Sequence, residues 1–506
     1  MADRVYVNPV DRVIGWFSPR RELARFYDRQ SLKRAYEAAS PRDPWKPRRA
    51  GASANADHIA DASTMRSKAR SLVQNVPYMR AGIDALVANV VGTGIMPRAT
   101  GQQADVLNTL FKQWCKVADA DGRLDYYGLQ AAAYHAMEQD GEVLIRLRAR
   151  RPTDGLPVPL QLQLLEIDWL DSTRTGIVSG NTVVNGIEYD VLGRVIAYWL
   201  WDQHPGDVTI TRGSRTQSTR VDAANIIHLF SPERPGQGRG FTRLAPVINT
   251  ARDLQLLMDA ELARKNLESR MSVLASGDVA SLANPATPSA IADPDAARRN
   301  GDLGQLGSGN IIQLPAGMNV THVKPEALPG YVETVKLYLH LVAVGMGVTY
   351  EMLTGDVSET NFSSARVNVS NFRRGAERTQ WLTLVPQMCD RIWRAFVDAA
   401  ELAGKIRRAD YTAEHSTPRW DYVNPEQDVK SDLALISGGL LTPSEALRRR
   451  GYNPDDVTAE LHADMERWNA LKVGEVSLLD ILLLLQKAQT AAALSAPAPT
   501  PAPAAK

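Results

Sequence analysis

Few groupings along this chain could do chemistry, and each reads as structural. Gly236-Gln-Gly-Arg-Gly240 stands between a strand-like and a helix-like segment, the setting in which glycine-rich loops cradle phosphate. It lacks the Gly-Lys-Ser/Thr ending of a P-loop and the third-glycine spacing of a dinucleotide fingerprint, so a tight connection is the better reading. The eight histidines are scattered, with no HExxH and no pair at metal-ligand spacing. His228 alternates within a strand and reads as a satisfied structural residue. No GxSxG elbow and no Cys/His constellation is present. Cys115 and Cys389 lie far apart in apolar helical contexts, the pattern of buried free thiols in a reducing compartment. Neither a metal nor a cofactor is expected, and no enzymatic activity.

The most informative stretch runs from Met346 to Pro386. A helix ends in Gly345-Met-Gly347, a polar loop follows from Val348 to Asn361, and an Arg-rich helix begins near Phe362. A closed ring would push such a loop into its central hole. The polar groups available there are Thr349, Thr354, Gly355, Asp356, Ser358, Glu359 and Asn361. Asp356 and Glu359 read as surface or intersubunit groups rather than metal ligands. On the following helix Arg366, Arg373 and Arg374 share one side at 100° per residue, with Arg378 at its edge. Such a stripe is a solvated face unless a ring supplies neighbours for salt bridges or DNA for glancing phosphate contact.

The 506 residues are too many for one compact core, so several subdomains are expected. Lys and Arg number 58 against 57 Asp and Glu. That balance argues against a protein that wraps nucleic acid through a basic surface, and leaves room for one that lets a polyanion slide past. There is no signal-peptide core at the N-terminus, and the apolar run Val476 to Lys487 is interrupted by Asp480 and too short to span a bilayer. It reads as a helix for oligomer packing, and no membrane association is expected.

Residues 1–50 combine basic pairs with Trp16, Phe17, Tyr36 and Trp45, either an arm lying on a neighbouring subunit or a DNA-binding segment. Apolar residues Leu72, Val76, Met79, Ile83 and Val87 predict one helix from Asp61 to Ala88, followed by helices over 102–117 and 127–139. A modest antiparallel sheet is predicted from strands at 142–148, 160–165, 186–190, 195–201 and 225–230. A helix over 244–270 would span on the order of 40 Å and carry a Glu261–Lys265 pair. Residues 272–310 read as a loop, with short strands at 310–314 and 319–323. A second helix is predicted at 331–346, and a third from 362 past Pro386, where a kink is expected. Thr442-Pro-Ser-Glu445 is a helix start, and 491–506 is an Ala/Pro tail.

A series of blocks in order gives a family resemblance. They include Arg66-Ser-Lys-Ala-Arg70 with Asn75-Val-Pro-Tyr-Met-Arg80, Val90 to Pro97, Asp140-Gly-Glu-Val-Leu144 with Leu165-Glu-Ile-Asp168, and Asn185 to Asp190. Ile226 to Phe230 leads through Arg239-Gly-Phe241 to Leu244-Ala-Pro246, and Trp420 to Pro425, Gly438 to Thr442 and Gly451 to Asp455 complete the series. In these the chain resembles the portal proteins of tailed bacteriophages, the lambda-like portal family, from about Lys33 to Val473.

The resemblance implies an α+β portal fold with long stem helices, a mostly antiparallel β wing, a small α/β clip and a helical crown. It divides the chain into a basic N-terminal arm (1–60), wing (61–240), first stem helix (241–270), clip (271–330) and second stem helix (331–347). A tunnel loop (348–361), a long kinked helix with wing return (362–427), a crown (428–490) and the tail (491–506) complete it. It implies a homo-oligomeric ring, usually of twelve subunits, at one capsid vertex, through which double-stranded DNA is packaged and ejected. Implied partners are the large terminase subunit, the major capsid and scaffolding proteins, and head-completion or adaptor proteins. The implied location is the virion, with the host cytoplasm during assembly. The alternatives are a DNA-processing enzyme, whose carboxylate metal cluster or Lys-bearing phosphate loop is not visible, or another capsid adaptor ring.

Overall fold

The computed structural model describes residues 52–207, 217–269, 273–276, 319–322, 330–358, 361–408, 410–418, 420, 425–450, 452, 454–470, 472–473 and 476–477. The chain divides into residues 1–57 and 58–506, and the account below concerns the second unit. The basic arm over 1–50, most of the 271–330 segment, the strand expected at 310–314, Glu359, most of the 476–487 run and the Ala/Pro tail lie outside the described residues.

Helix α1 (Ala54–Asn75) and α2 (Pro77–Val90) replace the single helix predicted over 61–88. The periodicity continues through both, but Val76 turns to φ −111°, ψ 111°. Pro77 has no N–H to give and drives the preceding residue out of the helical region, so the helix restarts with proline in its first turn. Strand β1 (Met96–Ala99) leads to α3 (Ala104–Cys115) and α4 (Tyr126–Asp140). Asp125 caps α4 by accepting from the Gly128 N–H at 2.7 Å.

The strands then follow as β2 (Glu142–Ala149), β3 (Leu160–Glu166), β4 (Gly176–Val178), β5 (Asn181–Val184), β6 (Ile187–Tyr189), β7 (Val195–Trp201), β8 (Ser218–Asp222) and β9 (Ile226–Phe230). One sheet is three-stranded, in the order β3-β2-β9, and the other five-stranded, in the order β4 to β8. Neighbouring strands in both are antiparallel. The sequence reading missed β1 and β8 as well as the β4–β5 hairpin, whose strands of three and four residues are too short to show alternation.

Strand β2 feeds two cores, since successive side chains point to opposite faces. Val143 and Ile145 join the helical core, while Leu144 meets Leu165, Tyr198, Leu200 and Val221 between the two sheets. The helical core is centred on aromatic rings. Phe111 stands edge-on to Tyr126 at 5.3 Å and to Phe396 at 5.2 Å, and lies 5.4 Å from Trp393. Trp114 settles its indole N–H on the Leu160 carbonyl at 2.7 Å, which ties α3 to β3. Cys115 and Cys389 are both buried free thiols, and burial pushes each up to about 12.

Helix α5 (Ile248–Ser269) starts four residues later than predicted, and its 22 residues span about 33 Å. Its Glu261 pairs with Arg264 at 2.6 Å rather than with Lys265 in the expected register. A two-stranded ribbon, β10 (Val273–Ser276) with β11 (Asn319–His322), precedes α6 (Tyr331–Met346) and the short α7 (Tyr350–Thr354). Then a continuous helical stretch runs through α8 (Phe362–Thr379), a π-helical segment (Gln380–Cys389) and α9 (Asp390–Leu402). The π-helical widening is where the predicted strain at Pro386 goes: a looser turn accommodates a ring that would strike the carbonyl four residues back. Strand β12 (Ala413–Ser416) pairs with β1, Met96 opposite Ser416. Helices α10 (Pro425–Ser437), α11 (Pro443–Arg448) and α12 (Pro454–Ala470) and the ribbon β13 (Lys472–Val473) with β14 (Val476–Ser477) complete the described chain. Thr442 caps α11 as its sequence predicts, accepting from the Glu445 N–H at 3.1 Å.

Candidate functional site

The loop between α6 and α8 is more ordered locally than a bare polar loop. Helix α6 closes at Gly347, whose φ of 75° suits a residue without Cβ, and the Val348 N–H reaches back to the Ala343 carbonyl at 3.0 Å. Thr349 then caps α7 by accepting from the Met352 N–H at 3.2 Å. Leu353 is buried, and with Met346 it packs where Gly82 of α2 leaves room for them. Thr354 donates to the Tyr350 carbonyl and accepts from the Asp356 N–H. After Gly355, the Asp356 carboxylate accepts from both the hydroxyl (2.6 Å) and the N–H (3.0 Å) of Ser358, and those bonds hold its pKa below the ordinary value. Asn361 starts α8 by accepting from the Ser364 N–H at 2.8 Å. Thr349, Thr354 and Asn361 thus shape the loop as caps and turn-formers, while Val357 and Ser358 are exposed.

Arg243 fastens the base of this loop. Its Nε donates to the Met346 carbonyl at 2.8 Å, satisfying the end of α6, and stands 3.5 Å from the carboxylate of Glu138 on α4. Burial raises the Glu138 pKa in spite of that guanidinium. The basic stripe on α8 is divided by the fold. Arg366 pairs with Asp428 of α10 at 3.0 Å, and the Arg373 guanidinium lies 5.3 Å from the Trp420 ring centroid. Arg374 and Arg378 are exposed.

A second constellation, with no local signal in the sequence, is an ionic hub around Glu142. This carboxylate, fully buried at the start of β2, accepts two bonds from Arg239, at 2.7 and 2.8 Å, and one from the Gly240 N–H at 3.0 Å. His228 Nε2 donates to it at 3.0 Å, and His58 Nε2 lies 3.3 Å away. Burial alone would push the carboxyl up, but Arg239, with His228 and His58 donating, holds it well below the usual carboxylate range. Burial also depresses the His228 imidazole, against the pull of Glu142. Gly141 makes the geometry possible: its φ is 94°, and a Cβ there would lie 2.3 Å from the Phe241 carbonyl carbon. The glycine-rich segment 236–240 is therefore a connection that delivers Arg239 to Glu142, not a phosphate cradle. His228 is structural, as its strand position implied.

Among the described residues one trio has metal-ligand spacing: atoms of Glu166, Asp168 and His204 lie within 4.8 Å of one another. Guanidinium groups already take the place of a cation there. Arg70 Nη2 is 2.7 Å from Asp168 and 3.2 Å from Glu166, and Arg66 Nη1 is 2.6 Å from Asp168. Although burial raises the Asp168 pKa, these arginines outweigh it and lower the value. The arrangement ties α1 to the end of β3. Among the described residues no helix is long and apolar enough to cross a membrane.

These elements are an architecture of helix termini and buried ion pairs, with no nucleophile and base brought together among the described residues. Residues 41–380 match the family model for phage portal protein, lambda family. The chain belongs to the lambda family of phage portal proteins. The family is one of structural components of the phage particle, not of enzymes. The chain is also similar, 27% identical over 443 residues and 83% of each sequence, to a probable portal protein of Halomonas phage phiHAP-1. Among solved structures it is similar to a chain in the neck of a native GTA particle computed with C12 symmetry, at 17% identity, TM-score 0.43, and coverage of 75% of this chain and 92% of that one. An HK97 family phage portal protein from Corynebacterium diphtheriae matches at 15% identity and TM-score 0.35, covering 67% of this chain and 94% of the other. As a portal family member, the chain combines helices with antiparallel sheets.

Proposed function

We propose that twelve copies of this chain close into a ring at one capsid vertex, through which double-stranded DNA enters during packaging and leaves during ejection. Family membership supports the portal role. The observation that carries ring closure is an apolar stripe on α6. Leu337, Leu341 and Val344, spaced four and three residues apart, are 57%, 51% and 78% exposed while the opposite face of the helix is buried. Residues at that spacing form one continuous face, and water is a poor partner for it. A second copy of the chain covers it in the ring.

In this reading α5 and α6 are the stem, 271–330 the clip that meets the large terminase subunit and later the head-completion proteins, and 428–490 the crown. Residues 348–361 form a collar around DNA, with Asp356, Ser358 and Glu359 nearest the duplex. Arg374 and Arg378 face a neighbour or passing phosphates. The wing meets capsid and scaffolding proteins, and ring assembly takes place in the host cytoplasm. Twelve helices side by side at about 10 Å give a circumference of roughly 120 Å and a lumen of roughly 28 Å, enough for a duplex. A net charge of +1 suits such a passage, because tight phosphate binding would stall translocation. The ATP hydrolysis of packaging belongs to the partner.

Mass photometry and electron microscopy of the purified full-length chain test the reading. Twelve copies of the 55.5 kDa chain give rings of about 670 kDa. A population of monomers and dimers alone overturns it.

A further inference from the structure

The two sheets share a core where Leu144 and Leu165 of one meet Leu200 and Val221 of the other. Beyond Leu144 the same face of β2 continues as Arg146 and Arg148, because side chains alternate along a strand. There the apolar core gives way to a cleft of about 410 Å³ bounded by these two arginines, Trp169, Trp201, Asp202 and Thr219.

The charges in this cleft do not balance. Arg148 Nε donates to Gln163 at 2.9 Å, and Asp202 accepts from the Thr219 hydroxyl at 2.7 Å. The Arg146 side chain is half-buried and makes no hydrogen bond or ion pair with any described residue. Burial and the like charge of Arg148 lower its pKa, against the opposing pull of Asp202. A partly desolvated guanidinium with no carboxylate in direct contact among the described residues is costly, and an incoming anion relieves that cost. In the β7–β8 connection the stretch 208–216 adds no anion, since it reads Val-Thr-Ile-Thr-Arg-Gly-Ser-Arg-Thr, with two arginines and no carboxylate.

Strand β8, whose Thr219 and Val221 line the cleft, is the edge of its sheet and pairs only with β7 among the described strands. An edge strand offers main-chain donors and acceptors to an added strand. We propose that this cleft binds an extended acidic peptide from a partner protein. Its carboxylates meet Arg146 and Arg148, its intervening side chains lie on the indoles of Trp169 and Trp201, and its backbone extends the sheet at β8. Asp202 can accept a main-chain N–H of the peptide between its carboxylates. The near-neutral chain offers little basic surface along which a nucleic-acid backbone would track.

The test titrates the full-length protein into a fluorescein-labelled soluble peptide of alternating Glu and Thr, read by anisotropy. Saturable binding is expected for this peptide and none for its Lys-Thr counterpart. Arg146→Gln and Arg148→Gln should each weaken binding by about tenfold or more. Arg194→Gln, in the exposed β6–β7 turn where Arg194 pairs with Asp190 at 2.9 Å, should leave it unchanged. Arg146→Lys keeps the charge but loses the forked donor, so it should weaken binding while disturbing the fold least. Absence of saturable binding by the wild type, or equal binding by wild type and Arg146→Lys, overturns the proposal. Stronger binding of a short oligo-dT that the same substitutions abolish reassigns the cleft to nucleic acid and overturns it as well.

Discussion

Glu142 sits where α1, β2, β9 and the 236–240 connection converge, and it is the one carboxylate to which Arg239, His228 and His58 all turn. Removing one charge from a buried network leaves the others unpaired, which costs more than the pair itself contributes. Glu142→Gln keeps the shape and strands Arg239, so a loss of about 3–5 kcal/mol is expected in urea unfolding of the full chain. The acid response follows from the same residues. The folded-state carboxyl titrates below its unfolded value, so its contribution is complete at neutral pH and is lost as pH falls through that depressed pKa. His228 works in the same direction: the folded protein holds its imidazole neutral, so stability begins to fall once pH drops below about 6.5, where the unfolded imidazole takes up a proton. Melting temperature should therefore decline from pH 7 to pH 4 in both proteins through His228. The further loss below about pH 4.5, where the unfolded carboxyl takes up a proton, should be present in the wild type and absent in Glu142→Gln. An identical pH profile in the two proteins would contradict the assignment.

At the scale of elements, helix ends do most of the positioning. The α6 terminus is held by a left-handed Gly347, the Arg243 side chain on the Met346 carbonyl and the Thr349 cap of α7. A Cβ at position 347 would stand 2.5 Å from Arg243 Nη2, in a backbone region that costs an L-residue about 1–2 kcal/mol. Gly347→Ala should destabilise the chain by about that amount. It should also raise hydrogen exchange in residues 348–358 before it affects the β2–β3 ladder, and uniform exchange across both would count against a local role. These ends were partly legible. The bounds of α6 and the Thr442 cap could be read because their signals lie within four residues of one another. The break at Pro77 was masked by an apolar periodicity that runs on through it, and the β4–β5 hairpin by its brevity.

At the scale of the whole molecule, the exposed stripe on α6 is the face proposed to close the ring. Leu341→Asp places a charge at its centre, where a second copy would have to desolvate it. Because the side chain is exposed in the single chain, folding should be nearly unaffected while the ring population collapses to small species by mass photometry. Persistence of full rings would move the interface elsewhere. The basic stripe on α8 shows why such faces need the fold. Sequence spacing puts Arg366, Arg373 and Arg374 on one side, but Arg366 meets Asp428 and Arg373 meets Trp420, partners 62 and 47 positions away.

By itself the sequence determined what local physics determines. Proline and glycine placement, cap residues and apolar period defined the main helices and strands, composition made the chain near-neutral, and the ordered blocks carried the family. Tertiary structure alone decided which charges meet. Glu142 and Arg239 stand 97 positions apart, and nothing near either residue names the other. A buried ion pair is selected by desolvation, which exists only once the chain has closed around it. The same holds for Arg146: in the sequence it is one more strand residue. Only the placing of two sheets around it turns an ordinary guanidinium into a charge in a cleft with no ion pair among the described residues.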